Sequence, residues 1–291
     1  MIGALIQLGI GYEYRELRDD TLKILLTNDD GIHAPGLWAA AKALNQVGEV
    51  CVVVPDREQS GVGTALTLHH PVRARNVSPD SYLGEADKTD HPLSAHIVEG
   101  TPADSCILAL EQLVGKVDLV VSGINTGSNL GWDIMVSGTV GAALQGYVRG
   151  YPTIAISVGT VQNPHFDVAA QFLRLTAARL DSSPTADPFF LNVNVPSVPL
   201  EQINGVQVTR LSGRSFSESV RSEGTGHQQR YWISRNRPVH DGNVDGTDVW
   251  ALKNNRISIT PLQLDLSNLH QFPQIEAFVG DIPSQLLSKN D

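Results

Sequence analysis

The sequence contains very little cysteine. Cys51 and Cys106 are the only two cysteines in 291 residues, and each lies in an apolar segment, VCVVVP and SCILAL. This placement favours buried free thiols in a reducing compartment over a disulfide or a catalytic thiol, and the sequence alone leaves all three open.

The sequence also lacks a long hydrophobic run. Its apolar start, MIGALIQLGIGY, is too short to span a bilayer, and it carries neither a positive leader nor a small-residue cleavage site. No later run reaches the length of a membrane helix. These absences predict a soluble, cytoplasmic protein without a membrane anchor, in which residues 1–21 form a partly disordered extension.

Basic residues are in the minority. The chain has 21 Lys and Arg against 31 Asp and Glu, which gives a net charge of −10. This balance argues against a nucleic-acid groove, because such grooves are usually basic. A small anionic substrate is still compatible with it, since a bound cation can reverse the local field of a site.

From residue 22 to about residue 204, strand-like and helix-like segments alternate. The continuous apolar runs KILLTN, EVCVVVP and VDLVVSG are typical of strands that are covered on both faces. The segments between them, such as APGLWAAAKALNQVG, have helical apolar spacing. The alternation predicts an α/β fold with a mostly parallel sheet and helices on both of its faces.

The pattern changes in residues 205–291. Three strand-like segments, GVQVTRL, RYWISRN and RISITPLQLDL, follow one another with no helical pattern between them, and a short helix is expected around QIEAFV. We therefore predict an antiparallel C-terminal β extension. Strand edges that no helix covers are usually paired, so this extension is expected to pack on another subunit and give at least a dimer.

Polar residues cluster directly after the predicted strands. Asp29 and Asp30 follow the first strand, Ser60 follows the second, and Asn125 follows the strand VDLVVSG. In an open parallel sheet, the loops at the carboxyl ends of the strands form the ligand site. Carboxylate, hydroxyl and amide oxygens suit a hard cation such as Mg²⁺ or Mn²⁺.

A helix start on the same edge, in the segment SGTVGAALQG, suits a phosphate. Helix N-termini leave N–H groups without partners, and Gly138 would let an anion approach the backbone. Each feature also has an ordinary structural explanation: Asp29 and Asp30 could form a turn, Ser60 a turn hydroxyl, and Ser137 an N-cap. Their combination at one edge favours a cation and phosphate site.

The same segments resemble those of the SurE (survival protein E) nucleotidase family. The resemblance is carried by ILLTNDDGIHAPG, VVVPDREQSG, VEGTPADS, DLVVSGINTGSNLG, VSGTVGAA and ISITPLQLDL, in this order, from about Leu22 to about Leu266. It implies a Rossmann-like three-layer core in residues 22–204, with residues 205–291 contributing to a homodimer or homotetramer. It also implies a divalent-metal-dependent phosphomonoesterase that acts on nucleoside 5′- or 3′-monophosphates, with short polyphosphate as an open further substrate.

The resemblance also implies roles for individual residues. The implied ligands of one Mg²⁺ or Mn²⁺ per subunit are Asp29, Asp30, Ser60 and Asn125. The implied phosphate and active-site contacts are Asn129, Ser137, Gly138 and Thr139. Asp29 and Asp30 are also the implied catalytic residues, and the sequence does not decide whether water or a carboxylate attacks. The leaving-group acid is unassigned, because no pattern marks Asp248 or His33 for it.

Two segments depart from the family pattern. SGVGTALTL has Val62, Gly63 and Ala65 where more polar residues are expected, and ALKNNRISITP has Asn254 and Asn255 where a glycine-containing turn is usual. Neither segment contains an implied metal ligand. The rival hypothesis is a nucleotide-binding regulatory module without catalysis, which would not need to retain all four implied metal ligands.

Overall fold

The computed structural model describes residues 21–84, 89–183, 185, 187–213, 216–224, 229–238 and 244–287. The expected N-terminal extension, residues 1–21, therefore lies outside the described residues except for Thr21. The strands are β1 (Leu22–Thr27), β2 (Gly48–Pro55), β3 (Ala74–Val77), β4 (Leu93–Val98), β5 (Leu119–Thr126), β6 (Thr153–Val158), β7 (Phe190–Val195), β8 (Val206–Val208), β9 (Phe216–Glu223), β10 (Arg230–Pro238) and β11 (Ile257–Pro261). The α-helices are α1 (Pro35–Asn45), α2 (Pro102–Leu108), α3 (Gly138–Val148), α4 (Asp167–Ser182), α5 (Asp248–Lys253), α6 (Phe272–Val279) and α7 (Ile282–Leu287).

Nine strands form one sheet in the order β3-β4-β2-β1-β5-β6-β7-β11-β8. The six central strands, from β4 to β7, are parallel to one another. The chain leaves β1 toward β2 and β4, then returns to the other side of β1 with β5. The strand order therefore switches between β1 and β5, and this is where a doubly wound sheet opens a crevice for ligands.

Helices cover the central strands on both sides. In β1, Ile24 and Leu26 pack into the core cluster that contains residues of α1 and α4, whereas Leu25 packs into the cluster that contains Cys106 of α2. Burial on both faces explains why β1 reads as a continuous apolar run instead of an alternating one. The predicted α/β fold with a mostly parallel sheet is confirmed.

The C-terminal segment is divided between two sheets. β11 pairs antiparallel with β7 and parallel with β8, so both strands extend the main sheet. β9 and β10 form a separate antiparallel hairpin. The expectation that no helix separates the C-terminal strands is wrong, because α5 lies between β10 and β11. It is only six residues long, too short for a helical periodicity, and the Thr247 side chain caps it.

Both cysteines are buried free thiols, as expected. Burial raises the pKa of Cys106 to about 12, which makes a catalytic thiolate at this position unfavourable. Within the described residues, no helix has the length and apolarity needed to cross a membrane.

Candidate active site at the carboxyl edge of the sheet

The turn after β1 presents the two adjacent carboxylates. Asn28 is fully buried and closes this turn, because its Nδ2 donates to Gly31 O at 3.0 Å and its Oδ1 accepts from Gly31 N at 3.1 Å. Gly31 has a φ of 85°, a left-handed conformation that glycine adopts without strain. The sequence analysis above does not name Asn28, although its hydrogen bonds fix the turn that contains Asp29 and Asp30.

Asp29 lies against the start of α3. It is only 4% exposed, and its Oδ1 accepts a hydrogen bond of 2.6 Å from Thr139 Oγ1. A Cβ added to Gly138 would lie 2.8 Å from Asp29 Oδ2, so this glycine is what allows the carboxylate to approach the helix. The anionic group at the N-terminus of α3 in this structure is therefore the side chain of Asp29.

The surroundings of Asp29 and Asp30 raise the pKa of both carboxyls. Burial, with a smaller contribution from the charge of Asp30, raises the pKa of Asp29 to about 6, although the hydrogen bond from Thr139 lowers it. Burial also raises the pKa of Asp30, partly offset by a hydrogen bond of 3.3 Å from Thr126 N and reinforced by the charge of Glu58. A cation between the two groups would relieve both effects.

The loop that contains Ser60 is tied to the same turn. Gln59 N donates to Asp29 O at 2.7 Å, which brings the loop after β2 to the carboxylates. Ser60 itself is exposed, and its hydroxyl donates to Glu58 Oε1 at 2.9 Å. The loop is thus in the expected place, but the Ser60 hydroxyl points to Glu58 in this conformation.

Asn125 lies at the end of β5, across the switch point from Asp30. It is 9% exposed, and its Nδ2 donates to Gly127 O at 2.5 Å. Because the amide nitrogen is used by this bond, the side-chain oxygen is the atom that could contact a cation. The next residue, Thr126, donates its N–H to Asp30 as described above, so the turn after β1 meets the end of β5 here.

The segment Ser137–Thr139 begins α3. Ser137 is its N-cap, since its Oγ accepts from Val140 N at 3.2 Å. Thr139 is fully buried and joins two parts of the site, because it donates to Asp29 and lies 3.5 Å from Asn129 Nδ2. The structure thus brings Asn129 and the helix start to the same side of the carboxylates.

The two residues considered for the leaving-group acid, Asp248 and His33, have structural contacts of their own. Asp248 is fully buried, and its carboxylate accepts hydrogen bonds from three backbone N–H groups, those of Gly131, Ser212 and Val249, at 2.7–2.8 Å. It anchors the loop before α3 to the C-terminal segment. His33 is exposed and lines an open cleft of about 590 Å³ with Trp38 and Tyr82 instead.

The departures from the family pattern are accommodated locally. Asn255 adopts a φ of 54°, and asparagine is among the residues that tolerate this left-handed conformation in place of glycine. Gly63 has a φ of 59° and donates from its N–H to Val136 O at 3.0 Å. The segment around Gly63 therefore forms part of the wall beside the start of α3.

The four residues Asp29, Asp30, Ser60 and Asn125 fit a hard divalent cation by their chemistry. They offer two carboxylates, a hydroxyl and an amide oxygen, which are the donor types that Mg²⁺ prefers. Burial and neighbouring negative charge raise the pKa of both carboxyls, so a bound cation would stabilise their ionised forms. No group of three or more His, Cys, Asp or Glu suited to a metal occurs among the described residues, so a cation here would also need the neutral oxygens of Ser60 and Asn125.

Comparison with known proteins shows which family the chain resembles. The sequence profile of the family described as "Survival protein SurE" matches residues 24–218. The chain is 44% identical over 248 residues to the 5′-nucleotidase SurE of Dehalococcoides mccartyi (strain CBDB1), which covers 83% of this chain and 88% of that protein. It is 42% identical over 252 residues to the 5′-nucleotidase SurE of Geobacter sulfurreducens, which covers 85% and 90%. The crystal structure of the SurE protein from Aquifex aeolicus matches with a TM-score of 0.73 at 36% identity, covering 88% of this chain and 99% of that one.

Proposed function

This chain belongs to the SurE family, and we propose that it is a nucleotidase that hydrolyses nucleoside 5′-monophosphates with one divalent cation per subunit. Its relatives are named 5′-nucleotidases, which supports the substrate class. The observation that carries the proposal is the contact of Asp29 with Thr139, because it joins a proposed cation ligand to the proposed phosphate-binding helix start.

Asp29, Asp30, Ser60 and Asn125 would hold the cation, Mg²⁺ or Mn²⁺. When bound, it supplies Lewis-acid polarisation of the phosphate ester and offsets the charge of the two carboxylates. Ser60 would have to turn from Glu58 toward the carboxylates, a rotation that its exposed position permits. Two neutral ligands in this set keep the site from repelling an anionic substrate.

The remaining groups would bind the phosphate and move protons. Asn129 Nδ2 donates to Ser157 Oγ at 2.8 Å and lies 3.5 Å from Thr139 Oγ1. The contact with Thr139 is the longer and weaker of the two, so a phosphate oxygen could take its place. The first turn of α3, Ser137 to Thr139, contributes backbone N–H groups and the helix dipole. Asp30 is less buried than Asp29, so it is the better placed of the two to take a proton from water.

The direct test is phosphate release from 5′-AMP. We expect turnover with Mn²⁺ or Mg²⁺, its loss in excess EDTA, and its recovery when the metal is restored, because the carboxylate pair needs the cation to receive an anionic substrate. The same assay with 3′-AMP and short polyphosphate defines the range of substrates. Binding of 5′-AMP without release under any of these metals would instead support the regulatory module, and undiminished turnover in EDTA would remove the cation from the mechanism.

We also propose that residues 205–291 form the contact between subunits of a homodimer or homotetramer, with residues 22–204 as the catalytic core. The hairpin of β9 and β10 exposes Val220, Tyr231, Trp232 and Ile233. The helices α6 and α7 bury none of their residues within the chain, and they expose large apolar side chains such as Phe278 and Leu286. Apolar patches of this kind mark protein interfaces in soluble proteins.

Light scattering after size exclusion tests this assembly. We expect a dimer or larger species at micromolar concentration, and a shift toward monomer for Ile233→Glu, because a charge on the exposed hairpin opposes its burial. Leu175→Glu on α4 is the matched control, since this leucine is also exposed but lies outside the segment. A wild-type monomer, or an equal effect of both substitutions, would contradict the proposal.

A further inference from the structure

Two buried asparagines of β7 have no role in the site described so far. Asn192 and Asn194 lie at alternate positions of the strand, so their side chains lie on the same face of the sheet, and both are fully buried. Burying an amide is costly unless its hydrogen bonds are made. A central strand with two such side chains therefore requires an explanation.

Their hydrogen bonds converge on the main chain of one residue, Asn129. Asn194 Oδ1 accepts from Asn129 N and Asn194 Nδ2 donates to Asn129 O, both at 2.9 Å. Asn192 Nδ2 donates to the same carbonyl, also at 2.9 Å. The two side chains thus make the hydrogen bonds that a neighbouring strand would otherwise make. They satisfy both the backbone N–H and the backbone C=O of Asn129.

Fixing this peptide also fixes the direction of the Asn129 side chain. Its Nδ2 donates to Ser157 Oγ of β6, which is fully buried as well. From Asn129 the polar contacts continue to Thr139 and then to Asp29. An unbroken series of side chains therefore links β7 to the carboxylate at the start of α3.

We propose that Asn194 and Asn192 are positioning residues, with Ser157, that set the Asn129 side chain for the phosphate. This inference rests on the proposed function. The hydrogen-bond pattern distinguishes the two asparagines: Asn194 uses both ends of its amide on Asn129, whereas Asn192 uses only its nitrogen and its Oδ1 is buried without a partner. Asn194 is therefore the residue whose loss should matter more.

The alternative is that these amides only stabilise a buried loop, and the chain offers a matched control for it. Asn45 of α1 is 3% exposed, and it holds another loop in the same manner, with its Nδ2 donating to His91 O and its Oδ1 accepting from Asp90 N, both at 2.9 Å. It lies at the end of α1 that precedes β2, on the amino edge of the sheet, and it takes no part in the proposed site.

The experiment compares Asn194→Ala, Ser157→Ala and Asn45→Ala with the wild type in the full chain. The measurements are Tm, kcat and KM for 5′-AMP with Mn²⁺, and the affinity for inorganic phosphate by calorimetry. We expect Asn194→Ala and Ser157→Ala to lower kcat/KM by about tenfold or more and to weaken phosphate binding, because a misplaced donor is costly in an active site. Asn45→Ala should lower Tm but leave the kinetic constants and the phosphate affinity at wild-type values.

Each outcome decides the question. Wild-type kinetics in both site variants, or losses that only follow the loss of Tm as in Asn45→Ala, would overturn the positioning role. If Asn194→Ala does not fold, the result for Ser157→Ala decides the question. This substitution removes a single hydroxyl and is therefore the less disruptive of the two. If the wild type releases no phosphate, the proposed function fails, and the inference is then decided by phosphate affinity, which the site variants must still weaken.

Discussion

Replacing Asp29 by asparagine is expected to abolish phosphate release and to make the metal-free protein more stable at neutral pH. Removing a residue that hydrogen-bonds to a metal ligand typically lowers metal affinity or activity about 10- to 100-fold. Removing a ligand itself should therefore lower activity by more than about 100-fold. The amide can still accept the hydrogen bond from Thr139, which preserves the local packing. Activity and stability should therefore change in opposite directions.

The stability gain has a defined sign and pH range. The pKa of Asp29 is raised from 3.8 to about 6 in the folded protein, so the folded state binds this proton more tightly than the unfolded state. Ionisation of Asp29 therefore lowers the free energy of unfolding. This loss is absent below pH 3.8, grows as the pH rises, and is complete above pH 6, where it amounts to about 2–3 kcal/mol. Asp29→Asn removes it, so its Tm should exceed that of the wild type at pH 7.5 and match it near pH 3.8.

Thermal unfolding with EDTA and with Mn²⁺ checks both parts of this prediction. The wild type should gain stability from the metal by mass action, whereas Asp29→Asn should gain little. Asp118→Asn is a suitable control, because this carboxylate accepts from Lys23 N at 2.8 Å at the amino edge of the sheet, and its loss should leave turnover unchanged. An Asp29→Asn protein that keeps its turnover, or its full stabilisation by Mn²⁺, would show that Asp29 is not a ligand.

Replacing Gly138 by alanine is expected to reduce turnover by about 100-fold, because a displacement of about 1 Å at an active site can have an effect of this size. The added Cβ would lie 2.8 Å from both Asp29 Cβ and Asp29 Oδ2, so the carboxylate must move away from the helix. In the sequence this glycine suggested only room for a phosphate. The structure gives a more immediate reason for it, which is the close approach of Asp29.

Gly146→Ala provides the matched control for this steric effect. Gly146 is in the same helix, and a Cβ there would lie 2.9 Å from the side chain of Val120 in the core. Both substitutions should lower Tm, but only Gly138→Ala should change kcat and KM for 5′-AMP. Equal kinetics in the two variants would mean that the position of Asp29 against α3 is not needed for the reaction.

The edge of the sheet that carries the proposed site was predictable from local sequence. Continuous apolar runs such as that of β1 indicate parallel strands, and parallel strands bring their carboxyl ends to one edge. Asp29, Asp30 and Asn125 follow such runs directly, so their common location follows from periodicity and the direction of the chain. The helix around QIEAFV was predictable too, because its apolar spacing lies within a few residues.

Other features were decided only by the tertiary structure. Asn194 and Asn129 are 65 residues apart, and Asp29 and Thr139 are 110 residues apart, yet each pair is joined by a hydrogen bond. Such contacts depend on which strands become neighbours, and a one-dimensional pattern does not contain the strand order. For the same reason, the sequence determined that residues 205–291 contain β-strands, but only the packing decided that β8 and β11 complete the main sheet while β9 and β10 pair separately.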